Sequence, residues 1–239
     1  MNSTPALQAP ALKLTGTEPV RALVEYASHW LAPSDDLPRG DGHTVVMFPG
    51  LASDAKAFGP LRRLSLRLGY HAVDWGRGLN RGPQGEVEPW LAGLTDEVAQ
   101  LIHQGPGARP ATLIGWSLGG IYAREVAKLL PGSVRQVITL GTPFSATADH
   151  SRVGWLYEWL SGQPARVDRQ LSQRLATPPP VPTTSIYSRS DGVVAWQACT
   201  HSRPRAGVED IEVPGSHLGM AWNPATLRIV AERLARPAR

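Results

Sequence analysis

The sequence predicts an α/β protein: a mostly parallel sheet of about six strands, flanked by helices, with one short helical insertion. Three observations predict it. Strand-length apolar runs alternate with helical stretches along most of the 239 residues, and that alternation implies parallel strands joined by helical crossovers. The first clear run, His43 to Phe48 (HTVVMF), is apolar without interruption, as suits a strand covered on both faces. At 111–130 a strand runs directly through a glycine-rich turn into a helix.

The elements follow in order. Residues 1–42 read as an N-terminal extension with one helix, and 43–239 as the main domain. Residues 1–18 are Pro-rich and aperiodic, so they are expected to be loose. In 19–31, Val20, Leu23, Val24, Ala27 and Leu31 stand near helical spacing, which predicts an amphipathic helix with that face on the main body. Strands are expected at 43–48, 71–75, 111–114, 134–140, 183–187 and 209–213. Ser53-Asp54 offers a cap for a helix through about Leu68. Glu88 to Gln104 carries Leu91, Leu94, Val98, Leu101 and Ile102 on one face, with Pro89 in its first turn. Asn223-Pro224 starts a last helix that ends near Leu234. Residues 145–180 break the alternation with helical segments at 151–162 and about 167–175.

Composition sets the bounds. The chain is 42% hydrophobic and 18% charged, with net charge +4 spread along it and no run of like charges. Nucleic acid is therefore not an expected partner. Cys199 is the single cysteine, so no disulfide framework forms. The first residues lack a basic start followed by an apolar core, and no apolar run would span a bilayer. A cytoplasmic location is expected. A second glycine pattern, Gly76-Arg77-Gly78 with Gly82, follows a strand, but Pro83 stands where a dinucleotide-binding helix should open.

The chemistry starts at Gly115-Trp116-Ser117-Leu118-Gly119. In strand, G-x-S-x-G, helix, a serine at a sharp turn has its hydroxyl pushed into the open, and the flanking glycines relieve the collisions such a turn creates. A glycine turn without chemistry is the competing reading; the flanking strand and helix weigh against it. In sheets of this kind, ligands sit outside the carboxyl ends of the strands. The loop after the fifth strand holds Asp191 and the loop after the sixth holds His217. A serine needs a base, and a histidine base needs a carboxylate to hold its tautomer. Ser117, Asp191 and His217 stand at three strand ends in the chain order this architecture requires. Glu209 and Asp210 are the rival acids, at the wrong end of the last strand, and His201 is the rival base, with no strand placing it. The other histidines show no metal-ligand spacing. The oxyanion formed at an attacked carbonyl needs donors, expected from the backbone N–H of Leu118 and of Leu51.

These residues resemble the α/β-hydrolase family, in its bacterial lipase and esterase branch. The likeness spans about 43–235 and rests on FPGL at 48–51, GWSLGG at 115–120, LGTPF at 140–144, SRSDGVV at 188–194 and GSHLG at 215–219. It implies hydrolysis of small-molecule or lipid esters with apolar acyl groups, through an acyl-enzyme and without a cofactor. A thioesterase or acyltransferase would use the same three residues, and a non-catalytic binding protein on this fold is the alternative of another class. Two departures from the family stand out: its two extra leading strands are not visible, and Pro49-Gly50 replaces the usual His-Gly before the oxyanion donor. The 145–180 insertion falls where the family carries its cap. There Trp155, Leu156 and Trp159 would roof the serine or simply fill core, and Trp116 is expected beside them against the substrate.

Overall fold

The apolar run at 44–48 becomes strand β1 (Thr44–Phe48), buried along its whole length in a computed structural model that describes residues 8–30, 36–145 and 169–237. Side chains of a strand point alternately to its two faces. Val46 and Phe48 accordingly enter one apolar core, and Val45 and Met47 another on the opposite face. Five more strands complete the sheet: β2 (His71–Asp74), β3 (Ala111–Trp116), β4 (Val134–Leu140), β5 (Thr183–Tyr187) and β6 (Val208–Glu212). Their order is β2-β1-β3-β4-β5-β6, and every neighbouring pair is parallel.

The helices α1 (Leu12–Ser28), α2 (Gly59–Arg67), α3 (Val87–Gln104), α4 (Leu118–Leu129), α5 (Arg169–Ala176) and α6 (Pro224–Leu234) are described. Leu91, Leu94 and Val98 of α3 and Ile121 and Val126 of α4 fill the first core. Leu61 and Leu64 of α2 and Leu227 and Val230 of α6 fill the second. The cap of α6 is the expected one: Asn223 Oδ1 accepts from the N–H of Ala225 at 2.9 Å, with Pro224 in the first turn. Asp54 instead caps a short 3-10 turn (Ala55–Phe58), and α2 proper opens at Gly59 with Pro60 in its first turn, where no N–H is needed.

The largest departure from expectation is α1. It begins at Leu12, ahead of the expected Pro19, and carries that proline inside. The predicted packing face is turned the other way. Val20, Leu23 and Val24 are 66%, 69% and 59% exposed, while Glu18 is 2% exposed. Periodicity alone cannot show that an acidic residue finds buried donors, and that is what reverses the helix. Trp30 is also exposed, with the Arg63 guanidinium 5.5 Å above its ring. Of the predicted insertion, 146–168 lie outside the described residues, as do Trp155, Leu156 and Trp159. The segment resumes at α5, whose final carbonyls Leu175 and Ala176 accept from the buried Arg124 guanidinium. Among the described residues no helix is long and apolar enough to cross a membrane.

Leu113 sits in β3 with no exposed surface, between β1 and β4. Leu113→Ala should lower unfolding stability by about 3 kcal/mol, the usual cost of a core cavity, read from urea denaturation.

Candidate active site

Ser117 stands between β3 and α4 with φ +54° and ψ −121°, a backbone region that a residue with a side chain rarely adopts. The turn is held on both sides. The N–H of Ser117 donates to the Leu140 carbonyl at 2.8 Å, and its own carbonyl accepts from Gly120 at 3.0 Å. A Cβ at Gly115 would overlap the backbone of Gly119 and Gly120, and one at Gly119 would overlap the Phe48 and Pro49 carbonyls. The two glycines therefore let the elbow close on itself and on the end of β1.

The loops after β5 and β6 converge on this serine. His217 Nε2 lies 3.1 Å from Ser117 Oγ, and His217 Nδ1 lies 2.6 Å from Asp191 Oδ2. The other Asp191 oxygen accepts from the N–H groups of Val193 and Val194 at 2.8 and 2.7 Å, which fixes the carboxylate by its own loop. All three residues are buried, at 8%, 3% and 3% exposure for Ser117, Asp191 and His217. Burial alone would depress the imidazole pKa. The charge and hydrogen bond of Asp191, joined by the charge of Glu18, outweigh it and hold His217 above the ordinary histidine value. This arrangement can take a proton from a serine hydroxyl and hold it on a stabilised imidazolium.

The other predicted residues fall as follows. Leu118 is the first residue of α4, so its N–H has no acceptor within the helix. Leu51 lies in the loop after β1, close to the elbow because Gly119 packs on the Phe48 and Pro49 carbonyls. That loop is set by Asn80, a residue sequence reasoning passed over. Asn80 Nδ2 donates to the Pro49 carbonyl at 2.7 Å, and its own carbonyl accepts from Ala52 at 2.8 Å. Trp116, expected against substrate, is 7% exposed and lies behind the histidine: its indole N–H donates to the His217 carbonyl at 3.1 Å. Gly141 was also missed. It has φ +54°, and a Cβ there would stand 3.1 Å from His217 Nδ1 and 3.3 Å from Asp191 Oδ2. Its signal in the sequence is the Leu-Gly-Thr-Pro stretch at the end of β4.

The rivals are engaged elsewhere. His201 Nδ1 is 2.7 Å from Asp210, and its Nε2 is 3.1 Å from the Arg124 guanidinium. Cys199 is buried, and that burial pushes its thiol well above the usual range, away from the nucleophilic thiolate. Among the described residues no group of three His, Cys, Asp or Glu could hold a metal ion.

Comparison with known proteins gives a consistent setting. A family model described as "Alpha/beta hydrolase family" matches residues 45–237. A curated protein from Shewanella sp. (strain MR-7), pimeloyl-[acyl-carrier protein] methyl ester esterase, is 34% identical over 107 residues, 44% of this chain and 36% of that protein. The protein of that name from Aliivibrio salmonicida (strain LFI1238) is 30% identical over 43% of this chain and 37% of its own length. The chain thus matches well under half the length of these relatives. Among solved structures, Aspergillus fumigatus lipase B aligns with TM-score 0.59 and 20% identity, over 86% of this chain and 56% of that one. A monoacylglycerol lipase from Paleococcus ferrophilus aligns with TM-score 0.58 and 13% identity, over 83% and 96%. At these identities the structural likeness speaks for the fold.

His217 should titrate above the ordinary imidazole value of about 6.5. Asp191→Asn removes the larger raising charge, so the pKa should fall in that variant. Nitrogen-15 NMR of the ring through a pH series reads both.

Proposed function

The chain belongs to the alpha/beta hydrolase family, and on that premise we propose that it is a serine hydrolase cleaving carboxylic esters of apolar acyl groups. One observation carries the reading: a serine at positive φ, 3.1 Å from a histidine whose other nitrogen is 2.6 Å from a buried carboxylate. The ester class is supported by the names of the relatives, which are methyl ester esterases.

In this reading Ser117 Oγ attacks the ester carbonyl carbon, and its proton passes to His217 Nε2. The resulting imidazolium is held at Nδ1 by Asp191. The oxyanion takes hydrogen bonds from the Leu118 and Leu51 N–H groups, the first freed by its place at the head of α4. Collapse breaks the ester C–O bond, and His217 returns the proton to the departing alcohol. A water molecule, deprotonated by His217, then attacks the acyl-enzyme; the acyl–Oγ bond breaks, His217 returns that proton to Ser117 Oγ, and the acid is released. Because the base must be neutral to accept the serine proton, kcat/KM should rise with pH through a midpoint above the ordinary histidine value.

A fluorophosphonate should label the wild type, and Ser117→Ala should abolish the labelling. Against p-nitrophenyl esters, Ser117→Ala or His217→Ala should cost about a millionfold in kcat, and Asp191→Ala about ten-thousandfold. An unlabelled wild type without esterase activity sinks the proposal. An ester and a thioester of the same acyl group, offered in competition, separate esterase from thioesterase.

A further inference from the structure

α1 turns three charged residues inward, at positions 18, 21 and 25, which share one helical face. Glu18 reaches furthest. Its Oε1 accepts from the N–H of Gly192 at 2.7 Å and from the N–H of His217 at 3.0 Å. Its Oε2 accepts from Leu218 at 3.0 Å. One carboxylate thus joins the residue after Asp191 to His217 itself. Arg21 joins the same two loops through their carbonyls, donating to Ser190 at 2.7 Å and Gly215 at 3.1 Å, and it pairs with Glu18 at 3.3 Å. Glu25 accepts from the Ser216 N–H at 2.7 Å. Thr15 Oγ1 donates to the Gly192 carbonyl at 2.6 Å. The backbone of α1 leaves no room at the loop either: a Cβ at Gly192 would stand 2.5 Å from the Leu14 carbonyl oxygen. All of these helix residues precede the matched family span, which opens at 45.

A buried carboxylate is costly unless it is hydrogen-bonded, and here it receives three backbone N–H groups from the loops that carry the acid and the base. We propose that Glu18 is the positioning residue of the Asp191–His217 pair, clamping the two loops so that Nδ1 and Oδ2 stay in register behind Ser117. The inference rests on the roles given to those three residues above. The clamp works in two ways. Geometrically, it fixes the backbone of His217 against that of Asp191-Gly192. Electrostatically, its negative charge favours the imidazolium that forms when the serine proton arrives. Among the described residues the charged groups facing the ring are Asp191, from the loop after β5, and Glu18, from α1. Trp116, Ser117 and Gly141, which approach it from β3 and β4, carry no charge. Arg21 and Glu25 contact the same loops at Ser190, Gly215 and Ser216.

Two substitutions separate the two effects. Glu18→Gln removes the charge and sets an amide N–H₂ against the loop donors. It should lower kcat about tenfold to a hundredfold with KM unchanged, as expected for a displaced catalytic group. It should also move the acid limb of the pH profile, and the NMR titration of His217, to lower pH. Glu18→Asp keeps the charge on a shorter arm. It should lower kcat while leaving the titration closer to wild type than Glu18→Gln does. Val24→Ala, on the exposed face of the same helix, should change none of these. Equal kcat and equal His217 titration in wild type and Glu18→Gln overturn the inference. So does a loss of thermal stability in which the folded protein keeps both at wild-type values. If Glu18→Gln fails to fold, Glu18→Asp decides: lowered kcat with retained titration supports the clamp, and wild-type kcat overturns it. If the wild type hydrolyses no ester and takes no fluorophosphonate, the proposed function falls separately. The His217 titration then still decides, with a fall in Glu18→Gln supporting the clamp and no change overturning it.

Discussion

The contact between the elbow and the end of β1 is the constraint on which the rest depends. Gly119 lies so close to the Phe48 and Pro49 carbonyls that no side chain fits. That approach sets the start of α4 against the end of the first strand, where the loop that carries Leu51 begins. It also forces the positive φ at Ser117, because the chain must reverse between β3 and α4 within a single residue. Such strain persists only where the surroundings over-determine it. Here they do: β3 lies between β1 and β4 in the sheet, and the Leu140 carbonyl takes the Ser117 N–H.

Around that rigid centre the remaining groups are held by polar contacts more than by apolar packing. Asn80 sets the loop after β1 through the Pro49 carbonyl. Trp116 holds the His217 carbonyl. Asp191 is tied by the N–H groups of its own loop. The site is thus a layer of backbone groups satisfied one by one, laid over two hydrophobic cores that fix the strand ends. Buried polar groups of this kind tolerate little slack, since each lost partner leaves another group unsatisfied.

The sheet, its parallel order and the three convergent loops were legible in the sequence because they follow from local patterns: apolar strands, glycine spacing, and an acid and a histidine at strand ends. Asn223-Pro224 was legible for the same reason, since a cap needs only its own neighbours. What escaped was set by distant partners. Val20, Leu23 and Val24 have the spacing of a packing face, yet they point outward because Glu18 and Glu25 find donors some two hundred residues away. The bond from the Trp116 indole N–H to the His217 carbonyl spans 101 positions, and no local pattern marks it. Asn80 holds a main-chain carbonyl and Gly141 leaves room for the His217 and Asp191 side chains, roles that no periodicity marks.

The separation of these partners in the chain has a consequence for the order of folding. Each Glu18 bond to a loop N–H joins residues 174 to 200 positions apart. During synthesis α1 leaves the ribosome well before the loops it holds. The elbow can form once β1, β3, α4 and β4 exist, but the histidine and its carboxylate have no helix-bound register until residue 218 has been added. The Ser117 turn is therefore complete well before the His217 loop is held. The acids of α1 have none of these loop donors until both loops have been made.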